Sequence, residues 1–159
     1  MANPFPFVAG SVLTAAELNG IGEWTSYTPV LTASTNPTLG TGSTQFGQYA
    51  RIQNLIVYRF LIRFGTSGVN AGAGNYLISL PVPSNGITSF YETNLGTVAF
   101  FDATANTIYY ANAWIADVNN VTPIYQATFN GSLLNVSATA PVVPAASDAL
   151  SGLIVYRAA

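Results

Sequence analysis

The chain of 159 residues predicts an all-β protein, an antiparallel β-sandwich or jelly-roll-like domain with a short N-terminal helix. Three features of the sequence say so. Apolar and polar residues alternate with period two in short runs, most clearly in LIVYRFLIRF at 55–64. Clusters of Gly, Pro, Asn and Ser separate those runs, with 14 glycines and 9 prolines in all, which is the punctuation of strands and turns. The helical signal is confined to residues 13–18.

That signal is local but complete. Thr14, Ala15, Ala16 and Glu17 form a capping box, in which the Thr14 hydroxyl accepts from the Glu17 amide while the Glu17 carboxylate reaches back. Leu13 and Leu18 stand at the positions of a hydrophobic staple, and Asn19-Gly20 tolerates the left-handed turn that ends a helix. So short a helix is marginal alone in water and must pack on something.

From Trp24 onward the pattern is extended. SYTPVLT at 26–32 opens the strands, and NPTLGTGSTQFG at 36–47 is a loop or hairpin region. In 55–64, Ile56, Tyr58, Phe60, Ile62 and Phe64 share a core face, while Val57, Arg59, Leu61 and Arg63 share the other. YARI at 49–52 pairs with this strand through a Gln53-Asn54 turn. GTSGVNAGAGN at 65–75 reads as a flexible connection, having little apolar surface with which to dock. YLISLPVP at 76–83 is a strand stopped by prolines. The runs 95–102 and 106–118 form a hairpin about DATAN, and 121–129, 132–139 and 152–157 bring the total to eight to ten strands.

Composition narrows the function. Charged residues are 6% of the chain against a usual quarter, hydrophobic residues 50%, and mean hydropathy is +0.37. No run approaches a membrane-spanning length of roughly 18 apolar residues, so no membrane insertion is expected. MANPFPFVAG lacks the basic flank of a secretory signal, and synthesis in a cytoplasm is the expectation. With no lysine and only Arg51, Arg59, Arg63 and Arg157, nucleic-acid binding is not expected. Few charges beside much apolar sequence fit an obligate assembly, most simply a homo-oligomer.

Candidate chemistry is sparse. Cysteine and histidine are absent, which removes thiolate and imidazole catalysis and the common zinc sites. The acids Glu17, Glu23, Glu92, Asp102, Asp117 and Asp148 are scattered with no paired motif, so neither an enzyme nor a cofactor is expected. Asp102-Ala-Thr-Ala-Asn106 spaces oxygen atoms somewhat as a calcium loop does, but without its glycine and distal glutamate; a hairpin turn is expected there and no metal. Tyr110, Asn112 and Trp114 share one strand face, as an adhesive aromatic surface would, against the plainer alternative of core or subunit interface. Arg59 and Arg63 are candidates for an interface pair that holds carboxylates such as Asp102 or Glu92 of a neighbouring chain, against simple solubility.

Trp24 with Tyr27-Thr28-Pro29, Leu39-Gly40-Thr41-Gly42, Gly47-Gln48-Tyr49 with Arg51-Ile52, and Phe64-Gly65 form one set of motifs. Leu80-Pro81-Val82-Pro83, Gly96, Asp148-Ala149-Leu150-Ser151-Gly152 and Tyr156-Arg157 continue it. Together with the opening FVAGSVLTAAELN, they resemble the virion proteins of tailed bacteriophages, in particular the β-domains of minor tail and tail-fibre proteins. The sequence departs from that pattern at Gln53-Asn54, where such domains often carry Gly-Lys.

The resemblance implies a structural component of the virion, commonly a homotrimer, made in the host bacterial cytoplasm. Residues 1–23 would then be an anchor that orders on docking to other virion proteins, through Phe5, Phe7, Val8, Leu13, Thr14, Glu17 and Leu18. Residues 24–159 would project as the β-sandwich domain for adhesion to a host-surface glycan or protein, with loops 66–75, 84–94 and 140–148 as contact surfaces. A capsid decoration protein uses the same parts, and a free carbohydrate-binding module fits the aromatics but not the missing signal.

Overall fold

The computed structural model describes residues 10, 12, 14, 15, 20–85, 95–126 and 133–159, and for 123–126 the backbone alone. Ten strands follow in chain order: β1 (Thr25–Tyr27), β2 (Leu31–Thr32), β3 (Thr44–Ile52), β4 (Leu55–Arg63) and β5 (Leu77–Ser79) come first. They are followed by β6 (Gly96–Asp102), β7 (Thr107–Asp117), β8 (Asn120–Gln126), β9 (Leu133–Asn135) and β10 (Ala149–Arg157). All are antiparallel and hydrogen-bonded into one sheet, in the order β1-β3-β4-β10-β6-β7-β8-β5-β2. β9 lies off this path, beside β5 on the same edge of β8.

β1 and β2 stand at opposite ends of that order, yet only Thr28, Pro29 and Val30 separate them in sequence. The sheet must therefore curl until its ends meet. Side chains and backbone close the seam: Ser79 Oγ accepts from the Tyr27 hydroxyl (2.7 Å) and from Val30 N (2.8 Å), and Ser79 N donates to Val30 O (3.0 Å). Gln45 Nε2 donates to Pro29 O at 2.8 Å. The strands thus form a single curled sheet with its apolar face inside, where the sequence predicted a sandwich or jelly roll.

The core is the concave face. Ile56, Tyr58, Phe60, Ile62 and Phe64 are all buried, as their alternation predicts, and they meet Leu150, Ile154 and Tyr156 of β10, Val98 and Phe100 of β6, and Ile78 of β5. β10, last in the chain, lies between β4 and β6 in the interior of the sheet. Phe60 sits opposite Gly47 in β3 and Gly152 in β10, and a Cβ on Gly152 would stand 2.7 Å from its ring. Glycine at 152 leaves room for the Phe60 ring, and glycine at 47 for that of Tyr58, whose edge a Cβ would approach to 3.1 Å.

Three local expectations meet the structure. The hairpin between β3 and β4 turns at Gln53-Asn54 as predicted, although Gln53, not the asparagine, takes the positive φ of 54°. The Asp102 turn is a hairpin: its Oδ1 accepts from Thr104 N and Ala105 N, and Asn106 has φ 51°. The segment 65–75, expected to be a flexible connection, is instead zipped to residues 35–41. Thr35, Thr38 and Thr41 pair with Ala73, Asn70 and Ser67, the first two by reciprocal backbone bonds of 2.8–3.0 Å. Small residues make this possible by letting backbones touch, since a Cβ on Gly72 would lie 2.1 Å from Thr35 O and one on Gly65 2.2 Å from Thr41 O.

The expected helix and most of its anchor residues (Phe5, Phe7, Val8, Leu13, Glu17 and Leu18) lie outside the described residues, as does Glu92; Thr14 is described and exposed. Glu23 N donates to Gly20 O, and Gly22 lies against Ile52. No helix among the described residues is long and apolar enough to cross a membrane.

Candidate functional site

The convex face of β3, β4, β10 and β6 is built by the outward half of the same alternation that makes the core. Opposed residues share a face, so the pairings give continuous rows across the strands. One row runs Gln48, Arg59, Leu153, Thr97, Asn112; the next runs Phe46, Leu61, Ser151, Ala99, Tyr110; a third runs Thr44, Arg63, Ala149, Phe101, Ile108.

Large apolar side chains lie open on this surface. Trp24, Phe46, Ile52, Leu55, Leu153 and Val155 are exposed, Leu153 by 55%. In their midst Arg59 is held in one posture: its Nε (3.1 Å) and Nη2 both donate to Gln48 Oε1. Its guanidinium carbon lies 5.4 Å from the centre of the Trp24 ring and 5.7 Å from that of Phe46. Arginine suits such a place because its planar, weakly hydrated cation stacks on aromatic faces while keeping donors at its rim.

The sequence singled out Arg59 and Arg63 by their shared face, and both are exposed on it. It missed Trp24, Phe46 and Gln48 as their company. The signal was present, since Phe46 and Gln48 alternate outward in TQFGQYARI; pairing them with Arg59 required the hairpin register. The suggested partner Asp102 is buried, with one carboxylate oxygen bonded within its own turn.

Tyr110 and Asn112 also face outward, Tyr110 being 70% exposed and so the most open of the aromatics on this surface, while Trp114 is only half-buried beside Thr122. Tyr109, Ala111 and Ala113 take the other face. About three strand spacings of ~4.8 Å separate β4 from β7, so this surface continues the Arg59 face round the curl.

The carboxylates and phenols of the interior are committed to architecture. Asp148, 1% exposed, accepts from Ala103 N (2.9 Å) and Ala145 N (2.8 Å), tying the segment before β10 to the β6–β7 turn. Burial pushes the phenols of Tyr58, Tyr76 and Tyr156 well above their ordinary value; for Tyr58, repulsion from Tyr27 and Tyr156 adds to it. No group of three or more metal-ligating side chains is found among the described residues.

Fold and surface together define a class, an all-β single-sheet protein that presents an apolar face studded with arginine. Comparison with protein-family models, curated proteins and solved structures gives no match.

Proposed function

We propose that this chain is a structural subunit of a tailed-phage particle, a small homotrimeric tail-fibre or tail-tip protein. It docks through residues 1–23 and projects residues 24–159, its curled sheet serving as a jelly-roll-like scaffold for host-surface adhesion. The observation that carries this reading is the convex apolar face around Arg59 in a chain of only 6% charged residues. Interface cores are depleted in charge and enriched in aromatic residues and arginine, and obligate interfaces resemble a core cut in half.

The residues that carry the phage resemblance support a scaffold role. Tyr27 closes the seam, Gly40 and Gly65 admit close backbone contacts, Gly47 and Gly152 flank Phe60, Asp148 ties two loops, and the Tyr156 hydroxyl bonds both the amide and the carbonyl of Val82. Exposed Tyr110 and Asn112 support adhesion beside the assembly face.

Immunogold electron microscopy of particles, using an antibody against residues 24–159, tests the placement. Gold at the tail or its tip is the expected outcome. Gold over the head replaces it with a capsid decoration protein, and unlabelled particles remove both.

A further inference from the structure

Arg157, Arg59 and Arg63 form a line of cations on the convex face. Arg157 pairs with Leu55, four residues before Arg59, and Arg63 is four residues beyond, so by register the three stand at intervals of about 13 Å along the strands. No acid occupies an outward position of β3, β4, β10 or β6. Among the described residues, Arg59 has the Gln48 amide and two rings for partners but no carboxylate.

This charge pattern decides how two copies can meet. Face-to-face packing about a two-fold axis would set arginine against arginine in apolar surroundings, a like-charge juxtaposition that interfaces avoid. A heterologous contact, in which the face meets a different surface of the next copy, avoids it, and makes a ring where the rotation between copies closes. That second surface must offer a carboxylate beside apolar area.

Four acids are described. Asp102 and Asp148 are buried, and Glu23 precedes Trp24 on the rim of the arginine face itself. Asp117 remains, at the end of β7, where Val118-Asn119 makes the tight turn into β8. Its carboxylate is oriented by Asn119 N (2.7 Å) and Asn120 Nδ2 (2.9 and 3.0 Å), and it stays exposed with lone pairs to spare. Val118 beside it is an exposed apolar residue.

We infer that the arginine-bearing convex face receives the β7–β8 hairpin tip of a second copy of this chain, Asp117 meeting Arg59 and Val118 entering the apolar rim formed by Phe46, Leu61 and Leu153. The inference rests on the assembly reading above and names the partner surface. A fixed guanidinium fits a carboxylate through paired N–H donors, and a rim that excludes water strengthens the pair.

Sedimentation equilibrium of the full chain, of Arg59→Glu, of Asp117→Arg and of the double variant tests it, with circular dichroism verifying that each is folded. The wild type is expected to associate, each single reversal to weaken association by about tenfold or more, and the double variant to recover most of the loss. Association indifferent to Arg59→Glu, or a double variant no better than the singles, overturns the hairpin docking while leaving the assembly reading intact. A wild type that stays monomeric at the highest concentration overturns the assembly reading itself.

Discussion

Two tyrosines on the same buried face show how much a single hydroxyl group can decide. The Tyr156 hydroxyl donates to Val82 O (2.7 Å) and accepts from Val82 N (3.2 Å), pinning the segment after β5 to β10. The Tyr58 ring packs edge-on against Tyr27 and close to Phe60, but its hydroxyl has no hydrogen-bond partner among the described residues. Leaving a buried polar group unpaired costs more than a formed bond returns. Tyr156→Phe is therefore expected to lower the unfolding free energy by about 1–2 kcal/mol, and Tyr58→Phe to leave it unchanged or raise it by up to about 1 kcal/mol. Urea denaturation of the two variants, run side by side, checks both. The burial of Tyr58 was legible from alternation in 55–64. Its missing partner was not, because a hydroxyl's neighbours come from strands far away in sequence.

At the scale of the element, the seam depends on one small side chain. Ser79 in β5 gathers the Tyr27 hydroxyl and the Val30 amide, joining the two ends of the sheet order. Ser79→Ala strips Val30 N of its hydroxyl acceptor and leaves the Tyr27 hydroxyl only the longer bond to Leu80 O at 3.2 Å. A loss of about 1–3 kcal/mol is expected, with faster hydrogen exchange at the Val30 amide than in the centre of β4. Long strands such as β4 and the β6–β7 pair were readable because one face is buried and period two marks it. The zipper of 35–41 against 65–73 was not readable, because it rests on backbone meeting backbone: its glycines look like flexibility in a sequence and act as contact in space.

For the whole molecule, three buried phenols set a limit at high pH. Tyr58, Tyr76 and Tyr156 have folded-state pKa values raised above the ordinary 10.0, chiefly by burial. Below that value both states keep the proton, and the phenols contribute no pH dependence. Above it the unfolded chain releases protons that the folded chain retains, so stability falls as pH rises toward the folded values. Alkaline unfolding beginning above about pH 10 is expected, the tyrosinate absorbance of these residues rising together with the loss of β-sheet circular dichroism. Tyrosinate absorbance that reaches its full value while the sheet remains intact would contradict the burial that holds the core.

The proposed docking role of residues 1–23 belongs to the same scale. On that proposal, their removal abolishes attachment to a particle while the strands of 24–159 still fold, since every described strand lies within 25–157. Loss of soluble protein would instead assign that segment to covering the sheet.

The sequence by itself determined the all-β class, the inward and outward sides of β4, the hairpins at Gln53-Asn54 and Asp102–Asn106, and the exposure of Arg59 and Arg63, because strand alternation and turn chemistry are local. Only the tertiary structure decided that the strands make one curled sheet, that the last strand is inserted between β4 and β6, and that Trp24, Phe46 and Gln48 gather about Arg59. Those follow from which strands pair and in what register, and pairing is settled by the packing together of distant residues such as Phe60, Gly47 and Gly152, which no single stretch of sequence contains.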